Sequence, residues 1–242
     1  MESIKPLHRL VILGISVTLV IVMVVIVHFY YASKDKLRLN FDDKQSLQHF
    51  VSKKNGAIYG ELKFVKESIG SAIYFDGKSY IDCGSSEILI DINENVTVGA
   101  WIKPKKVLSN QANTIIVAKG DYIFGLTRDE RAGRSDVVMG YINGGGVHSV
   151  KVYIIPEQWN NVVLVYDKTL RNNQIKVYVN GALRGQSDYK AQVLINTDHI
   201  FVGGNGEQNF NGLIANVNIY NKALTEEEIK KLQQVSMSSA NK

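Results

Sequence analysis

The sequence predicts an all-β domain, a sandwich or barrel of many short strands, carried behind a single apolar helix. Three observations predict it. Residues 10–31 contain no Asp, Glu, Lys or Arg. Beyond residue 36, one run alternates with period two over 96–102, and further runs rich in Val, Ile, Tyr and Phe follow, most of them separated by Gly, Asn or Asp, the pattern of short strands and tight turns and not of a parallel α/β sheet. Near residue 225 a helix start stands out.

The elements follow in order. A helix over 10–31 is long enough to cross a hydrocarbon core of about 30 Å, and its only polar interruptions before residue 27 are Ser16 and Thr18. The rival is a cleaved signal peptide, whose apolar core usually runs about 7 to 15 residues and ends in small residues. This run is longer and ends in His28, Phe29, Tyr30 and Tyr31, which favours a retained transmembrane helix with an interfacial aromatic belt. Residues 1–9 are its short flank and residues 32–36 a short tether. Lys5 and Arg9 precede the helix while Lys34, Lys36 and Arg38 follow it, so flanking positive charge sets no orientation.

Residues 37–235 form the domain. Val96, Val98, Ala100 and Ile102 share one face of a strand, with Trp101 on the other. Further strands are expected over 114–118, 122–127, 137–142, 147–154, 161–166 and 174–179. Asn180-Gly181 between two extended runs marks a tight hairpin. Thr225 and Glu228 have capping-box spacing, with acidic residues facing the positive helix end, and Leu224, Ile229 and Leu232 would pack this short helix onto the sandwich. Residues 236–242 read as a flexible tail. Cys83 is the only cysteine, so no disulfide forms within the chain, and its expected role is that of a small buried apolar side chain.

Several stretches together resemble the laminin-G-like jelly-roll domains of the concanavalin A-like lectin and glucanase superfamily. They are Gly70-Ser71-Ala72-Ile73-Tyr74-Phe75-Asp76-Gly77 with Tyr80-Ile81, Val98-Gly99-Ala100-Trp101-Ile102-Lys103-Pro104, and Gln158-Trp159-Asn160-Asn161-Val162. Val177-Tyr178-Val179-Asn180-Gly181, Ile200-Phe201-Val202-Gly203-Gly204 and the run from Phe210-Asn211-Gly212-Leu213 to Ala223-Leu224 follow in the same order. The resemblance implies a two-sheet antiparallel jelly-roll sandwich over about 37–235, extracytoplasmic on a single-pass anchor. Relatives often carry an acidic pair in the last motif and some bind calcium near it. This chain has Ala215 and Asn216 there, so no cofactor is expected beyond a partial calcium site drawn from Asp76, Asp82 and backbone carbonyls. Otherwise those aspartates order turns.

Function is less constrained. A net charge of +5 spread along the chain forms no nucleic-acid stripe, and no nucleic-acid partner is expected. Glycoside hydrolysis needs two carboxylates flanking the scissile bond, and no strand carries Glu-x-Asp-x-x-Glu. His49, His148 and His199 lack zinc-ligand spacing, and neither glycine cluster, at 144–146 or 203–206, has the Lys-Ser/Thr of a phosphate loop. The expectation is therefore a non-enzymatic, membrane-anchored surface module that binds a glycan or a surface protein, with membrane lipid around its helix. The expected contacts are Tyr122, Arg128, Tyr141, Asn143, His148 and Tyr153 on the middle strands and Asn205, Glu207 and Asn209 in a loop. A structural subunit of a surface layer, filament or virion envelope is the alternative. Asn95-Val96-Thr97 adds an N-glycosylation acceptor sequence at Asn95.

Overall fold

The computed structural model describes residues 20–23, 36–39, 43–85, 95–105, 113–120, 122–129, 134–142, 148–189 and 198–238. They belong to two units divided between Lys36 and Leu37. Of the first, residues 20–23 are helical and exposed; the remainder of the expected transmembrane segment lies outside the described residues. No helix among the described residues is long and apolar enough to cross a membrane.

The second unit is the expected antiparallel sandwich. Its strands are β1 (Lys36–Leu39), β2 (Ala57–Tyr59), β3 (Lys63–Glu67), β4 (Gly70–Asp76), β5 (Tyr80–Asp82), β6 (Asn95–Pro104), β7 (Asn113–Lys119) and β8 (Tyr122–Asp129). They continue with β9 (Arg134–Ile142), β10 (His148–Tyr153), β11 (Asn160–Asp167), β12 (Ile175–Val179), β13 (Ala182–Ser187), β14 (Ile200–Val202) and β15 (Asn211–Tyr220). One sheet runs β13-β12-β11-β6-β15-β4-β3, with β1 also on β15, and the other runs β10-β9-β8-β7-β14-β5-β2. The long sequence jumps between neighbours, β6 beside both β11 and β15, are what a jelly roll requires.

Between the sheets lies the core. Val96, Val98, Ala100 and Ile102 of β6 and Ile73 and Phe75 of β4 belong to one buried cluster with Phe124 and Leu126 of β8 and Val138 of β9. Cys83 is in the same cluster, and burial pushes its thiol pKa far up, which leaves it unreactive at neutral pH. Asn180 and Gly181 both have positive φ, 52° and 74°, the pair of left-handed residues that a two-residue hairpin between β12 and β13 needs.

A helix appears where only strands were expected. α1 (Lys44–Ser52) is capped by Asp43, whose side chain accepts from the Ser46 amide at 2.8 Å. Only Leu47 and Val51 are buried on it, too sparse an apolar stripe to show above strand-like noise. The C-terminal helix α2 (Glu226–Ser238) starts with the expected capping box: the Thr225 amide donates to Glu228 Oε2 at 2.8 Å and the Glu228 amide to Thr225 Oγ1 at 3.3 Å.

β15 carries the one irregularity that matters for the surface. Ala215 pairs with Trp101 and Asn218 with Gly99, so Asn216 and Val217 together oppose Ala100. This is a β-bulge, with Asn216 at φ 49°. The Asn218 Nδ2 donates to the Asn216 carbonyl at 2.7 Å and fixes it. The extra residue switches the alternation: Ile214 faces the core before the bulge, Val217 and Ile219 after it.

Candidate functional site

The outer face of the larger sheet divides into two halves. On β11, Val163 and Val165 point away from the core, and with Tyr178 and Tyr220 they pack under Leu224 and Ile229 at and within α2. On β3, β4, β15 and β6 no helix of the described residues of the sandwich lies above. A groove of about 370 Å³ opens there, lined by Val65, Tyr74, Lys103, Pro104, Lys105, Glu157, Gly212 and Leu213.

Period-two alternation places these side chains together. Registers Lys63↔Tyr74, Tyr74↔Leu213 and Leu213↔Lys103 set four outward residues in one cross-strand row, and Trp159, just before β11, closes it. Beneath, the small residues Ala72 and Ala215 join Ile69 and Trp101 in a buried cluster on which Trp159 and Leu213 pack. The Trp159 indole N–H donates to Glu67 Oε2 at 3.2 Å, and Lys103 Nζ meets the same oxygen at 3.4 Å while lying 6.0 Å from the indole centroid. Glu67 therefore fixes the ring and offsets one lysine.

At the other end, Lys105 Nζ donates to the Tyr74 hydroxyl at 2.7 Å and sits 4.7 Å from its ring centroid. The hydroxyl in turn lies 3.5 Å from Asn211 Oδ1. Among the described residues Lys105 has no carboxylate partner, so two of its ammonium protons remain to donate elsewhere. Gly212 forms the floor: its φ is 141°, and a Cβ there would come within 2.4 Å of the Lys103 carbonyl. The groove thus offers aromatic surface, two ammonium groups, a phenol and the Glu157 carboxylate, with the Asn211 amide next to the phenol. Such a mixture suits a polar ligand with apolar C–H faces.

The residues expected from sequence lie elsewhere. Tyr122 and Arg128 are on β8, Tyr141 on β9, and His148 and Tyr153 on β10, three adjacent strands at one edge of the seven-stranded sheet. Tyr153 is exposed there, and Asn143 lies outside the described residues. In the loop, Asn205 Oδ1 accepts the amides of Glu207 and Gln208, both at 3.1 Å. Asn209 is buried, with its Oδ1 on the Gly206 amide and its Nδ2 on the Lys78 carbonyl. Both asparagines build the loop, and Glu207 is exposed on it, as are Asn205 and Gly206. Asn95 Oδ1 accepts the Lys168 amide at 3.1 Å.

Asp76 and Asp82 do not converge on a metal, because they end strands of different sheets. Asp76 Oδ1 accepts the amides of Lys78 and Ser79, and these two bonds hold its carboxyl below the usual value. Asp82 accepts the Gly84 amide at 2.8 Å and binds His199 Nδ1 through both oxygens at 2.9 Å. No group of three His, Cys, Asp or Glu among the described residues is placed to hold a metal.

Residues 75–230 match the family described as the concanavalin A-like lectin/glucanases superfamily, laminin G type. The chain belongs to that superfamily. This concanavalin A-like domain has no match among curated protein sequences. Its backbone is similar to that of domain 4 of AbnA, an extracellular arabinanase of Geobacillus stearothermophilus solved with arabinotriose. The TM-score is 0.60 at 20% identity, over 81% of this chain and 97% of that one. It is also similar to a botulinum neurotoxin type C structure concerned with two ganglioside molecules, with TM-score 0.61 and 16% identity over 84% of this chain and 51% of that one. The botulinum neurotoxin DC binding domain solved with SialylT gives 0.56 and 16%, over 75% and 46%. The chain spans about half the length of the two toxin structures, and at such identities the likeness is one of fold.

Proposed function

We propose that this protein is a surface-displayed, membrane-anchored carbohydrate-binding module without catalysis, and that the groove of Tyr74, Lys103, Lys105 and Trp159 holds the glycan. The observation that carries the reading is the Lys105–Tyr74–Asn211 chain at one end of the cross-strand row and the indole fixed by Glu67 at the other. Rings held in place stack on sugar C–H faces at little entropic cost, while free ammonium and amide groups take the hydroxyls. Two structures of the same fold, the arabinanase domain and a toxin binding domain, were solved with saccharides, which supports the ligand class. Glu67 is already held by Trp159 and Lys103, a poor arrangement for a carboxylate that must attack or protonate a glycosidic bond.

The apolar run of residues 10–31 supports the anchor, with the sandwich outside the cell. The test is a glycan array probed with the full chain in detergent, followed by titration of the best ligand. Tyr74→Ala and Lys105→Ala should each weaken binding about tenfold, about 1.4 kcal/mol, with the melting temperature nearly unchanged in Lys105→Ala. Unaltered affinity in both variants would remove the groove from the reading. For the anchor, protease added to intact cells should digest the sandwich and leave a membrane-embedded fragment; a protected sandwich would reverse the orientation.

A further inference from the structure

On the opposite sheet a second aromatic surface stands apart from the groove. Tyr59 on β2 and Tyr80 on β5 are register partners, and their rings stack nearly parallel, with centroids 4.4 Å apart and planes at 9°. Phe201 of β14 meets Tyr80 at 6.3 Å and 53°. β2 is the last described strand of its sheet, so Tyr80 covers one ring face of Tyr59 and no strand among the described residues covers the other. Tyr59 is accordingly 44% exposed. A cross-strand pair of this kind already stabilises an edge strand, but stacking on one side also holds the open face still, which is what a platform for a ligand needs.

Polar groups stand around these rings. Gly206 lies against the Tyr80 phenol, since a Cβ built on it would be 3.6 Å from the hydroxyl oxygen and in ordinary contact with the ring. Its neighbour Glu207 is exposed, and among the described residues its carboxylate has no partner. His199 is fixed through Nδ1 by Asp82, the register partner of Phe201. That leaves Nε2 of a ring 38% exposed to exchange a hydrogen bond with a ligand. A carboxylate accepts two adjacent hydroxyls at once, and an aromatic face takes the C–H side of the same ring.

We propose that Tyr59, Tyr80, Glu207 and His199 form a second saccharide subsite, for a neutral sugar with vicinal hydroxyls, on the sheet opposite the groove. The inference rests on the glycan reading of the domain and adds that one molecule holds two sugar units on opposite faces, as a cross-linker would.

The experiment is calorimetric titration of the full chain in detergent with neutral oligosaccharides, arabinotriose first and then neutral hits from the array. Three proteins are compared: the unaltered chain, a groove variant Tyr74→Ala/Lys105→Ala, and a patch variant Tyr59→Ala. Glu207→Gln, an exposed change that leaves the stacked pair intact, accompanies the patch variant in case Tyr59→Ala unfolds the edge strand. Expected are two sites per chain, one surviving in each variant, with Glu207→Gln weakening the patch site about tenfold. A single site abolished by the groove variant and untouched by Glu207→Gln overturns the second subsite and leaves the proposed function standing. A single site lost with Glu207→Gln and kept in the groove variant supports the subsite and overturns the groove instead. No saccharide binding to any protein overturns both.

Discussion

The two halves of the larger sheet's outer face share one strand, β15, and have opposite fates. Under α2, the outward residues are Val163, Val165, Tyr178 and Tyr220, and the chain supplies Leu224 and Ile229 to cover them. Across β3, β4 and β15 the outward residues are Lys63, Tyr74 and Leu213 in one row with Lys103, and no helix among the described residues covers them. An apolar half must be closed by the protein itself, whereas a half of mixed aromatic and charged side chains is stable while open to a ligand. The bulge at Asn216 lies on the strand the two halves share, with Ala215 outward before it and Tyr220 outward after it.

The sharpest way to break the comparison is in the closed half. Ile229 is fully buried, and Ile229→Ala should cost about 2 to 5 kcal/mol of stability by chemical denaturation. Glycan affinity of the folded fraction should stay the same. If affinity falls with stability, the two halves are coupled and the groove depends on the helix.

The open half should give the reverse pattern, with a smaller energy. Tyr74→Phe removes only the hydroxyl between Lys105 and Asn211, a loss of roughly 0.5 to 1.5 kcal/mol in binding by the ordinary worth of a hydrogen bond. Its thermal midpoint should barely move, because half-buried Tyr74 keeps its ring. A midpoint shift without an affinity change would make the Lys105–Tyr74 contact a structural clamp.

The same contrast explains what was legible beforehand. Strands announce themselves by alternation or by β-branched and aromatic runs between turn residues, so β6, β8, β11 and the Asn180-Gly181 turn were readable, as was the Thr225 cap. α1 was not, because two buried residues do not make a readable stripe. The groove was hidden for another reason. Tyr74, Lys103 and Trp159 are 85 residues apart at most in numbering, and only the order β3-β4-β15-β6 makes them neighbours, a fact of topology that no local pattern carries. The available signal was the outward Lys103-x-Lys105 alternation on a strand whose other face is wholly apolar. The loop asparagines misled in the opposite sense: Asn205 and Asn209 are polar because they satisfy backbone amides, as turn asparagines commonly do.

A smaller effect tests how the closed half is fastened. Thr225→Ala removes the side-chain acceptor for the Glu228 amide and should cost about 1 kcal/mol, read as a lowered denaturation midpoint with glycan affinity unchanged. A stability loss near zero would mean that the apolar contacts of Leu224 and Ile229 alone seat the helix.

The smallest expected effect is in its pH dependence. The hydrogen bond from Lys222, at 2.9 Å, is the main reason the Glu228 carboxyl sits below its ordinary value, and the Thr225 amide adds to it. A carboxyl with a depressed folded pKa contributes stability that is present above its unfolded pKa and lost as pH falls through the folded one. Unaltered protein and Glu228→Gln should therefore differ most in melting temperature near neutrality and converge on acidification below the ordinary carboxylate range. Because Glu228 and Lys222 are both partly exposed, with side-chain accessibilities of 40% and 46%, solvent screens the pair and the gap should be small and shrink further in high salt. A gap that persists at low pH would assign the role of Glu228 to its cap geometry, which glutamine mimics poorly, and not to its charge.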